Sequence, residues 1–376
     1  MDALEYTKKL VAFESTSCFS NMEVSDYVEA TLKGLGFEIE RLEYDDANGI
    51  RKASIIGRKG VAGKGGMAYF AHTDVVPADP WFTDEFSPFT PTVQGDKLYG
   101  RGSCDMKGSI ACILAAAKQY VDRDLKHPLY IMCTADEEVG YHGARNVAEN
   151  STMYQEMVAG ESHGIIGEPT RLEVVYAHKG TYGFQAISHG RAAHSSLSTG
   201  INANLAMIPF LVEMKALYEE CMTDPRWQNP EFDPPTNGWN IGINDRTPAV
   251  NITPPQSVCT VYFRPMPGQD PEELVARARS AAEKCGIEFL FRCGGQPVYT
   301  DPNSPFVNEV LKIAGTDRAK TVSYGTDGSL FPDMKNMVVF GPGDIGQAHT
   351  HDEFIELEQL ELGTQKYADL IEHWCC

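Results

Sequence analysis

Imidazole and carboxylate side chains recur at five separated places in this chain, and these side chains bind zinc, cobalt or manganese. In chain order they are His72 with Asp74, then Asp105, the pair Glu137 and Glu138, Glu168, and His349. The chain has 10 cysteines but no Cys-x-x-Cys spacing, which argues against a thiolate zinc finger. The residue types therefore predict a two-metal hydrolase with carboxylate and imidazole ligands.

The spacing of His72 and Asp74 suits a metal site at the end of a strand. Both lie in the apolar run 67–76, and residues i and i+2 of a strand project from the same face, so Thr73 points away from them. One side chain can bind a metal while the other holds the imidazole in the required tautomer. A lone His-x-Asp motif is more often a solvated strand end, so the prediction depends on all five places occurring together.

The adjacent carboxylates Glu137 and Glu138 need a turn if they are to act together. In a continuing strand they would point to opposite faces, but Gly140 follows closely and indicates that the chain turns. One carboxylate could then bind metal while its neighbour reaches a bound water as general base.

The apolar pattern of the first part of the chain alternates between strand and helix. Strands are predicted over 53–57, 67–71 and 129–135, and a helix over 108–124. Such alternation predicts an α/β fold, a mostly parallel sheet covered by helices, in which ligands gather at the carboxyl ends of strands. His72, Glu137 and Glu168 all follow apolar runs, as that rule requires.

The pattern changes after residue 171 and again after residue 292. The segment 172–292 predicts a two-layer α+β domain inserted into a discontinuous catalytic domain formed by 1–171 and 293–376. Its predicted elements are strands over 172–176, 181–188, 258–264 and 288–292 and helices over 202–217 and 271–285, with a proline-rich polar stretch over 223–240. Helix, strand and helix are then predicted over 304–314, 337–341 and 357–374.

The composition of the chain argues against several classes of binding partner and indicates a cellular location. A net charge of −20 argues against nucleic acid and anionic membranes as partners. No apolar run approaches the 20 or so residues of a membrane span, and the acidic start of the chain does not look like a secretory signal. Scattered cysteines favour reduced thiols and a cytoplasmic location.

The five candidate metal-binding positions and the sequence strings around them resemble those of a known family. The strings are residues 97–108 (KLYGRGSCDMKG), 167–170 (GEPT), 177–180 (AHKG) and 341–349 (GPGDIGQAH). Nearly end to end, the chain resembles the di-zinc aminoacylase and acetylornithine deacetylase family, which includes succinyl-diaminopimelate desuccinylase and glutamate carboxypeptidase. These strings look most like its acetylornithine deacetylase branch.

The resemblance implies a role for each position. Two divalent metal ions are expected, with zinc as the expected metal and cobalt as an alternative. Asp105 would bridge them, His72 and Glu168 would complete one site, and Glu138 and His349 the other. Asp74 would orient His72, and Glu137 would be the general base. His351 lies two residues from His349, and only the family pattern selects between them.

The inserted domain would also contribute residues. The resemblance implies that this domain serves for dimerisation and as a lid. It also implies that His194 reaches the active site of the neighbouring subunit of a homodimer and donates to the oxyanion. From spacing alone, a loop histidine that caps the next helix is the more frequent explanation. Asn251, Arg264, Gly325 and Thr326 match substrate contacts, although an arginine on a strand is as often part of a surface ion pair.

The expected substrate is a small N-acyl amino acid. The string 341–349 favours hydrolysis of N-acetyl-L-ornithine to acetate and ornithine, a step of arginine synthesis. The string Gly-Thr-Asp-Gly at 325–328 departs toward the desuccinylase pattern. N-succinyl-diaminopimelate hydrolysis and dipeptide or carboxypeptidase cleavage therefore stand as alternatives.

Overall fold

A nine-stranded sheet forms the centre of the larger part of the protein, and its middle strands are parallel. In the computed structural model, which describes residues 1–247 and 249–376, the strand order is β1-β2-β6-β3-β7-β15-β8-β13, with β14 paired to β8. The pairings of β6 with β3, β3 with β7 and β7 with β15 are parallel, whereas the pairings of β1 with β2, β2 with β6 and β15 with β8 are antiparallel. The predicted α/β class is confirmed, with antiparallel flanks added to the parallel centre.

The strands and helices have the following bounds. The strands are β1 (Glu38–Asp45), β2 (Arg51–Lys59), β3 (Met67–His72), β4 (Thr92–Gln94), β5 (Lys97–Tyr99), β6 (Leu129–Thr134), β7 (His163–Ile166), β8 (Val175–His178), β9 (Thr181–His189), β10 (Asn240–Asn244), β11 (Gln256–Phe263), β12 (Glu288–Gly295), β13 (Val298–Tyr299), β14 (Lys320–Val322), β15 (Met337–Val339) and β16 (Phe354–Glu356). The helices are α1 (Ala3–Val11), α2 (Met22–Gly34), α3 (Gly108–Lys118), α4 (His142–Asn150), α5 (Thr152–Ala159), α6 (Ala203–Thr223), α7 (Pro271–Lys284), α8 (Pro305–Ala314) and α9 (Leu357–Cys375).

The central strands are buried along their whole length because both faces of the sheet are covered. Every residue of β3 and of β6 is buried, as is usual for parallel strands between helical layers. Helix α3 packs against α1 and α9, and its residues from Gly108 to Ala117 are buried. The ends of these strands are therefore fixed by a dense core.

The chain divides into two compact units. The first contains Met1–Ala177, Tyr299–Lys320 and Thr326–Cys376, and the second contains His178–Val298 and Thr321–Gly325. The dimerisation and lid roles expected for the inserted segment stay predictions.

The second unit contains an antiparallel sheet with two long helices. The strand order is β10-β11-β9-β12, and α6 and α7 pack against this sheet. Aromatic and aliphatic side chains form its core, with Phe184, Phe210 and Phe263 almost fully buried. This is a two-layer α+β arrangement.

Two strand assignments made from the sequence were wrong. The predicted strand over 172–176 corresponds in part to β8, which pairs with β15 in the large sheet and not with the sheet of the second unit. The fourth strand of the smaller sheet is instead β10, which starts at the end of the stretch interpreted as polar and irregular. β10 lies at the sheet edge and is largely exposed, so it lacks the apolar run that marks a buried strand.

The remaining strands form a small sheet with the order β16-β5-β4. β16 pairs antiparallel with β5, which brings the segment after His349 next to the segment before Asp105. Among the described residues, no helix combines the length and the hydropathy needed to cross a bilayer.

Candidate metal centre

Three neighbouring parallel strands carry three of the predicted sites. His72 is the last residue of β3, Glu137 and Glu138 stand in a turn just after β6, and Glu168 follows β7. Because β6, β3 and β7 are adjacent and parallel, their carboxyl ends meet at one edge of the sheet. The turn predicted at Gly140 is present.

The two other predicted ligands come from loops that meet this edge. Asp105 lies in the irregular turn Ser103–Lys107 before α3, and His349 lies in a loop before β16 with a φ of 62°. His72 Nε2 lies 3.1 Å from Asp105 Oδ1 and 3.5 Å from Glu168 Oε1. His349 Nε2 lies 3.0 Å from Glu138 Oε2 and 3.4 Å from Asp105 Oδ2.

The five side chains form one cluster around Asp105. Three groups each have ligand atoms within 4.8 Å of one another: His72, Asp105 and Glu168; Asp105, Glu138 and His349; and His72, Glu137 and Glu138. The first two groups have the members of the two expected ligand sets, and both contain Asp105. The structure thus brings together the residues that the sequence pattern singled out, from positions 72 to 349.

The alternative histidine points elsewhere. His351 is exposed, and its Nδ1 lies 3.1 Å from the carbonyl oxygen of Pro80. It is absent from every described group of potential ligands.

Asp74 was expected to orient His72 through its side chain, but the structure shows a contact through its backbone. The imidazole Nδ1 lies 2.9 Å from the backbone carbonyl oxygen of Asp74, whereas the nearest carboxylate oxygen is 3.7 Å away. The Asp74 carboxylate instead accepts from the backbone N–H of Glu137 at 3.1 Å and of Glu138 at 3.3 Å, and from the Ser17 hydroxyl at 2.7 Å. The backbone orients the imidazole, and the carboxylate fixes the turn.

The charges of the cluster suit a divalent cation. Burial raises the pKa of Glu138 and of Glu168, and the negative charge of Asp105 raises both further. Burial also raises the pKa of Glu137, with a further contribution from Glu138. Hydrogen bonds with Asp105 and Glu138 raise the pKa of His349 to about 10. A divalent cation would stabilise the ionised carboxylates and the neutral imidazoles that serve as ligands, so the donor set fits a metal.

A buried ion pair behind the turn was not found from the sequence. Asp136, with a φ of 57°, accepts from Lys52 Nζ at 2.6 Å and from the Tyr44 hydroxyl at 2.7 Å. Both partners of the ion pair are almost fully buried. Lys52 is also bound by the carbonyl oxygens of Ser17 and Phe19 at 2.7 Å each. The residue before Glu137 is therefore held by Lys52 and Tyr44, in addition to the bonds that Asp74 makes to the same turn.

Asp327 is a second buried carboxyl that the sequence analysis passed over. It accepts from the Thr134 hydroxyl, while its Oδ1 has no hydrogen-bond partner in the described part of the chain. Burial raises the pKa of Asp327 to about 7. The signal was present in the string Gly-Thr-Asp-Gly, where only the first two residues were singled out.

Most of the residues predicted to contact the substrate or the oxyanion belong to the second unit. His194, Asn251, Arg264 and Gly325 lie in the second unit, and Thr326 lies in the first. His194 and Asn251 are exposed, and the Arg264 guanidinium stacks over Tyr262 at 5.2 Å. A tight turn follows His194, with no helix for it to cap.

The His194 imidazole has a defined tautomer. Its Nδ1 accepts from the backbone N–H of Ser196 at 3.3 Å and lies 2.7 Å from the Ser196 hydroxyl. A neutral imidazole that accepts at Nδ1 carries its proton on Nε2. His194 therefore presents a donor at its outer nitrogen.

Comparison with known proteins agrees with this cluster. The family model described as "Peptidase family M20/M25/M40" matches residues 68–373. The chain belongs to this peptidase family. It is 33% identical to the acetylornithine deacetylase of Myxococcus xanthus, over 98% of this chain and 96% of the relative. It is 32% identical to the acetylornithine deacetylase of Proteus mirabilis, over 99% and 96%. The predicted family membership is confirmed, and the protein is a metallopeptidase-family enzyme.

Solved structures of other metal-binding peptidases and of a dipeptidase share the fold. An M20 family metallo-carboxypeptidase from Sulfolobus solfataricus superposes with a TM-score of 0.76 at 18% identity, covering 99% of each chain. Human carnosine dipeptidase 1 gives a TM-score of 0.73 at 16% identity, covering 98% of this chain and 96% of that one. A dinuclear metal-binding peptidase of the family from Bacillus subtilis gives 0.63 at 17% identity, covering 98% and 96%.

Proposed function

We propose that this protein is a two-metal amidohydrolase that converts N-acetyl-L-ornithine to acetate and ornithine. The observation that carries the proposal is the cluster of His72, Asp105, Glu138, Glu168 and His349 around one shared carboxylate. The relatives named acetylornithine deacetylase, which match almost the full chain, support this substrate.

The proposed metal sites follow from the donor set. His72, Asp105 and Glu168 would hold one ion, and Asp105, Glu138 and His349 the other. Imidazole and carboxylate donors suit zinc and also accept cobalt. When bound, the ions supply polarisation of the amide carbonyl and a water of lowered pKa.

Glu137 is the proposed general base. It is adjacent to the ligand Glu138 and belongs to a group with His72 and Glu138 whose ligand atoms lie within 4.8 Å of one another. Its carboxylate accepts the proton of the attacking water and then passes it to the nitrogen of the departing amine. Asp74 and the Lys52–Asp136 pair hold the turn, so that the carboxylate stays in position through both transfers.

His194 is the proposed donor to the oxyanion that develops on the amide carbonyl. Its outer nitrogen carries the proton, as this role requires. We propose that it acts on the active site of a second copy of the chain. An apolar face of α6 supports a homodimer: Leu205, Ile208 and Val212 share one face of the helix and are more than half exposed.

Arg264, Asn251, Gly325 and Thr326 are the proposed contacts of the substrate carboxylate and backbone. Arg264 is half-buried and stacks on Tyr262, which would keep its planar donors oriented for a carboxylate.

The proposed location of the protein is the cytoplasm, since all 10 cysteines are free thiols. Ornithine release would place the reaction in arginine synthesis.

One observation favours a second candidate substrate. The string Gly-Thr-Asp-Gly at 325–328 resembles the desuccinylase pattern, and its Asp327 is buried beside Thr134. N-succinyl-diaminopimelate is therefore the alternative, and a dipeptide is the third substrate to compare.

The test combines metal analysis with three substrates. Purified protein is analysed for metal content and assayed with N-acetyl-L-ornithine, N-succinyl-L,L-diaminopimelate and a dipeptide, with and without a chelator. We expect the highest kcat/KM for N-acetyl-L-ornithine, loss of activity with chelator, and recovery on addition of zinc or cobalt. Turnover that survives complete metal removal would refute the mechanism, and preference for another substrate would refute the assigned acyl group.

A further inference from the structure

Glu353 is a buried carboxylate that binds the turn carrying Asp105. Its side chain is fully buried. Oε1 accepts from the backbone N–H of Cys104 at 2.9 Å and of Asp105 at 3.0 Å. Oε2 accepts from the backbone N–H of Gly102 at 2.9 Å. Three backbone donors within residues 102–105 therefore converge on one side chain that lies about 250 residues away in sequence.

Arg101 connects this carboxylate to the loop of His349. Its Nη1 donates to Glu353 Oε2 at 2.6 Å, and its Nη2 donates to the carbonyl oxygen of Thr350 at 2.9 Å. Thr350 is the residue directly after His349. The same Nη2 lies 3.3 Å from the carbonyl oxygen of Pro77, in the segment that follows Asp74. The Arg101 guanidinium thus connects the segments that carry Asp74 and His349 to the carboxylate that binds the turn of Asp105.

The position of this pair indicates a role other than general stability. Burial of an ion pair costs desolvation energy that its attraction often fails to offset, so such pairs are weak evidence of stabilisation. Here every hydrogen bond of the carboxylate goes to the turn of Asp105 or to Arg101. The pair therefore fixes the relative position of two loops, both of which end at the same proposed metal site.

We propose that Glu353 and Arg101 are positioning residues. They hold Asp105 and His349 at the separation needed to bind the metal ion of the site formed by Asp105, Glu138 and His349. The inference rests on the proposed two-metal function and extends it to residues that touch neither metal nor substrate. Partners of this kind orient ligands, and their loss lowers metal affinity by about 10- to 100-fold in other metal sites.

The first test compares Glu353→Gln with a control that removes a similar carboxylate elsewhere. Glu156 accepts from Arg58 Nη1 at 2.8 and 2.9 Å and lies in α5, outside the site. Metal affinity is measured by competition with a chelator of known affinity, and cobalt-loaded protein is examined by its visible absorption spectrum. We expect Glu353→Gln to bind one of the two ions about 10- to 100-fold more weakly, with an altered cobalt spectrum. Glu156→Gln should match the wild-type protein in both measurements.

A second variant keeps the test decisive if Glu353→Gln does not fold. Arg101→Lys retains a cation for Glu353 but lacks the second nitrogen that binds Thr350. We expect the same loss of affinity for one ion, with circular dichroism of the metal-free variant unchanged.

The outcomes separate this inference from the proposed function. Wild-type protein with two ions and a folded variant with wild-type affinity and spectrum would overturn the positioning role while leaving the proposed function intact. Wild-type protein that binds no metal would overturn the proposed function and this inference with it. A fall in thermal stability without any change in metal affinity would assign the pair a structural role only.

Discussion

The Asp74 carboxylate accepts from the backbone N–H of Glu137 at 3.1 Å, a bond that joins the segment just after β3 to the turn that carries the proposed base. A second bond, from the backbone N–H of Glu138, reaches its other oxygen at 3.3 Å. The carboxylate therefore acts on the position of the base more directly than on the imidazole of His72.

Replacement of Asp74 should lower turnover more than metal content. In Asp74→Ala the turn loses both acceptors, and misplacement of a reacting group by about 1 Å can cost about 100-fold in rate. His72 keeps its bond to the backbone carbonyl oxygen of residue 74, so zinc content should remain near that of the wild type. Measurement of kcat and bound zinc tests this. Ser17→Ala is the control, since it removes one donor to Asp74 and leaves both backbone bonds. Loss of zinc in parallel with kcat would contradict this division of roles.

Glu137→Gln should separate chemistry from metal binding. The amide has nearly the same shape but cannot accept the proton, so we expect kcat to fall by about 10²- to 10⁴-fold, the usual contribution of a general base. Both ions should stay bound, and KM should change little. Steady-state kinetics with metal analysis on the same sample measures both. An active Glu137→Gln protein with two bound ions would remove Glu137 from the mechanism.

The close approach of two segments next to Glu168 gives a steric prediction. A Cβ on Gly341 would lie 2.2 Å from the carbonyl oxygen of Gly167 and 2.5 Å from that of Glu168, both rigid backbone atoms. Gly341→Ala should therefore displace Glu168 and weaken metal binding as well as lower the melting temperature. Gly63→Ala is a suitable control, because its nearest neighbour would be 3.9 Å away. Chelator competition and thermal unfolding measure the two effects. Wild-type affinity in Gly341→Ala would show that the site tolerates this shift.

The stability of the second unit should depend on pH through His178. Burial lowers the pKa of His178 to about 4, and its Nδ1 lies 2.8 Å from the carbonyl oxygen of Lys179. The unfolded chain, with a histidine pKa near 6.5, binds more protons between about pH 4 and 6.5, so stability falls as pH falls through this range. From pH 7.5 to pH 5 the expected loss from this residue is about 2 kcal/mol, at about 1.36 kcal/mol per pKa unit.

His178→Asn should remove that part of the pH dependence. The asparagine amide can still donate to the carbonyl oxygen of Lys179 but does not titrate. Urea denaturation of both proteins at pH 7.5 and pH 5 measures the difference. Equal losses of stability in wild type and variant would show that His178 does not contribute.

The sequence predicted the buried strands well because their pattern is local. β3 and β6 are buried at every position and apolar except at their last residues, His72 and Thr134, and both were located to within one residue at each end. β10 escaped prediction because an exposed edge strand has no such pattern, and β8 was assigned to the wrong sheet because pairing between distant strands leaves no mark in either segment. The burial of a strand can be predicted from its own residue pattern, whereas the sheet to which it belongs depends on contacts between distant parts of the chain.

The same distinction applies to the candidate site. The residues of the metal cluster could be found because each follows an apolar run or a glycine-rich turn and has a side chain with metal-binding chemistry. Lys52, Arg101 and Glu353 could not, since a charged residue in a sequence looks like a surface residue until its buried partner is known. Glu353 lies two residues after His351, which was considered as a ligand, but its partner Arg101 precedes it by 252 residues.

The order of the strands in the large sheet has a consequence for synthesis of the protein. β15, from the last part of the chain, lies between β7 and β8, and the loop of His349 follows it. A nascent chain that has not yet delivered Met337 lacks an interior strand and the final donor of the cluster. The proposed site can therefore assemble only after residue 349 has been synthesised, and we expect a chain that stops before residue 337 to lack amide cleavage.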